Sequence, residues 1–396
     1  MPPPSKSAVA RWYAKAAAFN VEALFSRKRE PGPKRTVFVN QDLPSDYYDP
    51  KGKIKKDHVY ISNQVITSKY TLITFLPRNL LEQFRRVANV FFLGIAILQF
   101  FSKFSTISPG LVIFPLLVIL AITACKDAYE DTKRHQSDAR VNHTSVRVLA
   151  EPGWVNPNRM HPKARTFVRG LRTLVRAPEN HAEKKDPEDG WRPALWEDVR
   201  VGDFVRILDD EPLPADLLIC ATSEDDNVAF VETKNLDGET NLKSRHAVPA
   251  LVHLRDAAAC ASPENAFRVA CERPDTNMYR LNGAVFLNAA AAATPVDLSM
   301  TLLRGTVLRH TRWVIGLVLF TGPDTKIVLN SGGTPSKRSK VERQMNPQVG
   351  VNLALLGLMA VACGVSDSVL ERRDAPQGAP WLYGDDRSDD NPRING

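Results

Sequence analysis

Apolar residues are unevenly distributed along this chain: they collect in three runs and thin out between them. NVFFLGIAILQFF (89 to 101) and LVIFPLLVILAITAC (111 to 125) are separated only by SKFSTISPG, and VGVNLALLGLMAVACGV covers 349 to 365. Each run is slightly shorter than the ~20 apolar residues that cross a bilayer, and the flanks can extend it. The pattern predicts a transmembrane hairpin over 76–126 and a third span over 346–368. RHQSDARVN, after the second run, is polar with helical spacing, so that helix is expected to continue beyond the membrane as a stalk. The long polar region that follows holds short β-branched pieces, TSVRVL, VGDFVRIL, DLLICAT, VAFVET and RWVIGLVLF, which predict strands. The expected architecture is a multi-pass α-helical membrane protein with an inserted, mainly-β cytosolic domain over 127–345.

The remaining segments lack periodicity. Residues 1–75 read as a cytosolic N-terminal arm, with the Pro-, Lys- and Arg-rich SRKREPGPKR as a loop-like run. Residues 155–190 look like an inserted surface loop, and 250–275 and the alanine run 289–293 like further peripheral insertions. Residues 369–396 read as an exposed extracytosolic loop, acidic and rich in Pro and Gly, that stops short.

Charge fixes the expected orientation. Arg78, Arg85 and Arg86 precede the hairpin, Lys126, Lys133 and Arg134 follow it, and the connecting loop has only Lys103. Basic residues favour the cytosolic side, so both ends belong in the cytosol and a tight turn near Ser108, Pro109 and Gly110 lies outside. The third span then enters from the cytosol after SKRSKVERQ and leaves near Ser366 and Asp367, with Arg372 and Arg373 running against the rule. A buried helical hairpin of a soluble protein is the alternative, but nothing else in the chain is apolar enough to cover it. The net charge of +8 fits nucleic acid or an anionic membrane surface. Its placement beside the apolar runs favours the membrane, so no nucleic-acid partner is expected.

Several familiar chemistries are excluded. The five cysteines form no CxxC pair, which argues for free thiols over a disulfide scaffold or a zinc site. The histidines show no ligand spacing, and no metal site is expected. The first residues lack a secretory signal, so membrane insertion must use an internal segment. Asn142-His143-Thr144 matches a glycosylation sequon but falls on the cytosolic side. GGTPSKRSK lacks the register of a P-loop and reads as a linker.

What remains is FVETKNLDGETNLKSR, residues 230 to 245. An acid, a glycine, a second acid and a hydroxyl, Asp237, Gly238, Glu239 and Thr240, sit in an amide-rich turn between two lysines. Gly238 allows a positive φ, which presents Glu239 at the tip, where a carboxylate could meet a water near a phosphate. Upstream, VGDFVRILDDEPLPADLLICATS has a Gly202-Asp203 turn, with Pro212 and Pro214 fixing an extended approach to Asp216 and another buried strand.

Together these stretches resemble the N-terminal part of the P-type ATPases, specifically the subfamily that moves phospholipids. The resemblance runs from VFVNQDLP to the last residue. It takes in SNQVITSKYTLITFLPRNLLEQFRRVANVFFL, AITACKDAYEDTKRHQSD, LPADLLICATSEDDNVAFVETKNLDGETNLKSR, CERPDTNMYRLNGAVFLN and the stretch from LLRGTVLRHTRW to VERQMN. Ion-pumping relatives usually carry Thr-Gly-Glu-Ser where this chain, like lipid flippases, has Asp-Gly-Glu-Thr. The resemblance implies that 127–345 is an actuator domain, a distorted β-roll or jelly-roll with insertions near 155–190 and 250–275. It implies an aspartyl phosphate on a separate domain, whose hydrolysis Glu239 would drive by positioning and activating the attacking water. Asp237, Gly238 and Thr240 would shape the loop and hold it against the phosphorylated site.

The resemblance also implies Mg2+ and ATP for the complete enzyme and none bound by this chain alone. It implies a phospholipid carried from the exoplasmic to the cytosolic leaflet and a small two-pass glycoprotein accessory subunit. The location implied is the plasma membrane or Golgi and endosomal membranes. Gln99, Phe100, Ser108, Pro109 and Gly110 lie where the outer ends of the first two spans help select the headgroup. Gln99 is followed by Phe100 where many serine-lipid flippases have paired glutamines, which points to choline or ethanolamine lipids. The Asp-Lys-Thr-Gly-Thr phosphorylation motif, the nucleotide-binding lysine region, the Gly-Asp-Gly metal segment and the fourth span do not occur. The expectation is therefore an N-terminal fragment that is inactive by itself. Two other readings stand beside it: a naturally short, non-catalytic membrane protein using an actuator-like domain for interaction, and a divergent cation pump.

Overall fold

A computed structural model of the protein describes residues 34–101, 107–162, 189–287, 293–331 and 340–374. It divides into two compact units, residues 1–74 with 128–334 and residues 75–127 with 335–396.

The first unit is built from antiparallel sheets. β1 (Arg35–Val39), β2 (Ser145–Leu149), β3 (Trp191–Leu195), β4 (Phe204–Leu208), β5 (Asp216–Thr222), β6 (Val228–Glu232) and β7 (Leu242–His246) come first in chain order. They are followed by β8 (Phe267–Cys271), β9 (Gly283–Leu287), β10 (Ala293–Val296), β11 (Thr301–Leu302), β12 (Val307–Arg309) and β13 (Trp313–Phe320). The central sheet has the order β11-β5-β13-β4-β2-β3. Its strands read as near-continuous apolar runs because both faces are covered, and alternate residues serve different cores. From β5 and β13, Leu218, Cys220, Ile315, Leu317 and Leu319 point into one core with Val37, Phe267, Val269 and Val285 of the four-stranded sheet β1-β8-β9-β10. Leu217, Ile219, Val314 and Val318 point into the other, with Ala229, Val231 and Leu308 of the three-stranded sheet β12-β6-β7. Gly316 sits at a register shift between β13 and β5, where an added Cβ would come within 3.1 Å of the Leu217 side chain.

The structure corrects three expectations about the sheet unit. Residues 250–275 are no peripheral insertion. Leu251, Leu254, Cys260, Phe267 and Val269 are fully or almost fully buried, and β8 lies between β1 and β9. Nor is the described part of the N-terminal arm separate from the sheet domain. β1 pairs with β8, and the buried Arg35 guanidinium bonds to the Leu319 carbonyl and, at 2.7 Å, to Asp324. Likewise Asn158, in the expected surface loop 155–190, is buried and donates to the Phe38 carbonyl. Residues 163–188, the alanine-run positions 288–292, most of GGTPSKRSK and the tail from 375 lie outside the described residues.

The second unit is helical. It holds α1 (Phe75–Gln83), α2 (Val87–Leu98), the first part of α3 (Pro109–Asn142) and α4 (Lys340–Asp374). α3 and the stretch Gln344–Leu370 of α4 are long and apolar enough to cross a membrane, and only 11% and 6% of their apolar windows are buried. A core helix of a soluble protein would be mostly covered. α2 is apolar but short, about 18 Å at 1.5 Å per residue, against a hydrocarbon core of about 30 Å. α1 is inverted relative to a water-facing amphipathic helix. It buries Asn79 and Gln83 and exposes Leu76 and Leu81. Asn79 donates to Asp127 and Gln83 donates to the Leu120 carbonyl.

α3 continues unbroken to Asn142, as the spacing after the second apolar run suggested. Its last part is laced to residues 65–70 of the sheet unit. Asp138 accepts from the backbone amides of Thr67 and Ser68, Asp131 from Lys69 and Asn142 from Val65. The expected tight turn at Ser108, Pro109 and Gly110 is instead the start of α3. Proline suits a first helical position, where its missing N–H would have no partner and its φ is already set.

Candidate functional site

β6 and β7 pair with Glu232 opposite Leu242, and the loop between them carries the four singled-out residues. Thr233 is followed by one helical turn, Lys234–Asp237, which Gly238 closes with φ 79° and its N–H on the Lys234 carbonyl. A Cβ on Gly238 would meet nothing within 4 Å, so conformation, not space, calls for glycine. Asp237 is the hub. Its Oδ1 accepts from the buried Thr233 hydroxyl at 2.8 Å and from the Glu239 amide at 2.9 Å. Its Oδ2 lies 2.5 Å from Lys243 Nζ, and Glu239 Oε2 lies 3.0 Å from the same ammonium. The Glu239 side chain stays 59% exposed, against 20% for Asp237, so one acid holds the loop while the other is presented. Thr240 lies exposed beside it.

Thr233 and Lys243 were not singled out in the sequence. The signal lay in their spacing, a hydroxyl four residues before Asp237 and a lysine four after Glu239. At the base of the loop Arg309 of β12 bridges Glu232 at 2.9 Å and also pairs with Asp210, tying the hairpin to the β4–β5 turn.

The Lys243 hydrogen bond is the largest influence on Asp237 and brings its carboxyl down to about 2, with the Glu239 amide and Thr233 hydroxyl adding to it. The Lys243 ammonium is raised in turn. A carboxylate depressed in the folded state adds stability above its ordinary value of 3.8, and that stability is lost as pH falls through about 2. A 13C-carboxyl titration of this chain is therefore expected to place the Asp237 midpoint near 2. A midpoint near 4 would show that the ion pair does not form in solution.

Asp216, at the end of the Pro-Ala-Asp approach, serves the fold. Its two oxygens accept from the backbone amides of Arg304 and Lys326 at 2.8 and 2.9 Å. Burial pushes its carboxyl up to about 6, against the pull of those amides. Among the described residues, no three His, Cys, Asp or Glu side chains gather where a metal could sit. All five cysteines are free thiols.

The expected headgroup residues fall in the helical unit. Gln99 follows α2 and its Oε1 accepts from the Ile107 amide at 3.4 Å, which brings Gln99 to the segment leading into Ser108, Pro109 and Gly110. Phe100 is 67% exposed.

The model of a family described as the phospholipid-translocating ATPase N-terminal region matches residues 40–113. Similarity over most of this chain agrees. The chain is 34% identical over 423 aligned residues to the phospholipid-transporting ATPase dnf2 of Schizosaccharomyces pombe, covering 85% of this chain and 30% of that protein. The chain matches the N-terminal portion of the phospholipid-transporting P-type ATPases. Against the phospholipid-transporting ATPase DNF1 of Saccharomyces cerevisiae, identity is 33%, covering 85% of this chain and 26% of that protein. For the human phospholipid-transporting ATPase ID it is 34%, covering 83% and 24%. The chain thus spans less than a third of the length of these relatives. In this chain the family model covers α1, α2 and the first residues of α3, whereas the 233–243 loop lies beyond it.

Proposed function

We propose that this chain is the actuator-bearing N-terminal part of an ATP-driven flippase that moves phospholipid from the exoplasmic to the cytosolic leaflet. The observation that carries the reading is the loop itself: a locked Asp237 holds an exposed Glu239 at the tip of a rigid hairpin. That is the form needed to bring a general base to a phosphate held elsewhere. In the complete enzyme the phosphate is an aspartyl phosphate, and ATP with Mg2+ supplies it. The metal and nucleotide would be held by parts of the enzyme outside this chain. Glu239 orients and deprotonates the attacking water, Asp237 and Gly238 fix the shape of the loop, and Thr240 meets the phosphorylated site. Replacing Glu239 with Gln in the complete ATPase and following the lifetime of its radiolabelled phosphoenzyme tests the reading directly.

The membrane part of the proposal has α1 and α2 with α3 as a hairpin and α4 as the next span. The uncovered apolar helices support it, as does the inverted polarity of α1, which suits a hydrocarbon surrounding and not water. Gln99, Phe100 and Ser108 to Gly110 then face the exoplasmic side, where a headgroup is first met. The small two-pass subunit remains part of the same proposal. Topology has its own test. A cysteine placed at Ser223, in the sheet unit, is expected to resist an impermeant maleimide added from outside intact cells, while cysteines at Ser105 or Ser388, both outside the described residues, react. Labelling of Ser223 from outside overturns the assignment.

A further inference from the structure

The hydrolytic reading uses Glu239 and leaves Lys243 without a task, yet that ammonium joins both acids of the loop. Lys243 is the second residue of β7 and pairs with Val231 of β6, so the strand, not the loop, sets where its side chain starts. From there Nζ reaches Asp237 Oδ2 at 2.5 Å and Glu239 Oε2 at 3.0 Å. Asp237 is also held from behind by the Thr233 hydroxyl and the Glu239 amide. Glu239 has neither of those anchors on its carboxylate and stands mostly in solvent. The lysine is therefore a fork with one fixed arm and one free arm.

The charge balance shows what such a fork can do. Asp237 and Glu239 carry two negative charges within a few residues, and a phosphorylated aspartate presents a dianionic phosphoryl group. Surfaces of the same sign repel on approach, most strongly once water is excluded. With Lys234 already in the loop, Lys243 brings the formal charge of residues 233–243 to zero, and it places its positive centre beside the carboxylate that must come nearest to phosphorus. Arg245, two residues further along β7, also attracts Asp237, but its guanidinium is partly buried and donates to the Leu298 carbonyl. It is not placed to take over.

We propose that Lys243 is a positioning residue for dephosphorylation: it aims the Glu239 carboxylate and neutralises the loop so that it can dock on the phosphoryl group. The inference rests on the hydrolytic reading of Glu239. In the step it serves, a water oxygen bonds to phosphorus as the acyl-phosphate P–O bond breaks. The aspartate leaves as a carboxylate, the water proton passes to Glu239, and Lys243 keeps its own protons throughout.

The test compares K243Q, K243R and E239Q in the complete ATPase that carries this segment, reading phosphoenzyme formation from ATP and its decay at low and high salt. K243Q is expected to form phosphoenzyme normally and to lose it about 10–100-fold more slowly, the scale of a misplaced catalytic group. K243R should recover most of the rate. Raised ionic strength should partly relieve K243Q, because salt screens the repulsion that the lysine otherwise offsets. Normal decay in K243Q alongside slow decay in E239Q overturns the role of Lys243 alone. Normal decay in E239Q overturns the reading beneath it. Slow decay in K243Q with neither arginine rescue nor salt relief shows a lysine that only holds the fold, and overturns the proposal as well.

Discussion

With Glu239 replaced by Gln, the complete ATPase is expected to phosphorylate from ATP and then stall, its phosphoenzyme decaying about 10²–10⁴-fold more slowly, the usual cost of losing a general base. The substitution keeps the length of the side chain and a carbonyl that can still accept from Lys243, but it removes the basic oxygen. Phosphorylation precedes the step that Glu239 serves, so it should continue, and label should accumulate on the protein while phosphate release and lipid movement stop. The fold should be untouched. Glu239 is mostly exposed, its ion pair to Lys243 is a surface pair, and such changes usually cost within about 0.5 kcal/mol. The loop keeps its shape through Asp237, whose bonds to Thr233 and to the Glu239 backbone amide do not involve the Glu239 side chain. Phosphoenzyme that decays at the wild-type rate in the Gln variant would reduce Glu239 to a turn residue.

How much of this was legible depended on whether a residue's task leaves a local trace. DLLICAT coincides with β5, and RWVIGLVLF contains β13, because a strand covered on both faces must be an unbroken apolar run. Gly238 was legible because only a left-handed residue ends the turn at Asp237, and the structure gives it φ 79°. The four-stranded sheet was not. β8 spells FRVAC, and the segment before it buries Leu251, Leu254 and Cys260 at irregular intervals among alanines and charges, so neither a period of two nor one of 3.6 emerges. β1 was hidden by the Pro- and Lys-rich stretch in front of it. In the loop, Asp237 and Glu239 stood out as a motif, but Lys243 acquires its meaning only when the hairpin folds its ammonium back over both acids. Asn79 and Gln83 are the converse case: polar side chains with no motif around them, which the structure buries.

Asn63 is the most complete example of a residue whose weight cannot be read from its neighbours, and its replacement is expected to be among the most damaging in the sheet unit. It sits in SNQ, a short polar stretch with no chemical motif of its own, and is fully buried. Its Nδ2 donates to the carbonyls of Trp196 at 2.8 Å and Pro214 at 3.1 Å, and its Oδ1 accepts from Arg304 Nη1 at 2.9 Å and the Gly322 amide at 2.8 Å. One amide thus joins four segments with its full bonding capacity. Asn63→Ala leaves two carbonyls, an amide and a buried guanidinium without that partner, and the Nη2 of Arg304 already lacks one. Each stranded buried group costs about 1–3 kcal/mol, more when charged. Incomplete additivity brings the expected total to about 4 kcal/mol, a large part of the roughly 5–15 kcal/mol that holds a domain together. Water cannot easily take over, because the backbone around Asn63 is pressed against its partner: a Cβ on Gly322 would lie 2.3 Å from the Ser62 carbonyl. Guanidinium unfolding of the detergent-solubilised chain, followed by tryptophan fluorescence, measures the loss. The exposed Asn235→Ala serves as the control and should stay within about 0.5 kcal/mol. Asn63→Asp keeps the acceptor facing Arg304 and Gly322 but turns a second acceptor oxygen against the Trp196 and Pro214 carbonyls, so it too should be clearly more damaging than the control. A loss below about 1 kcal/mol for Asn63→Ala would mean that the four segments hold together without it.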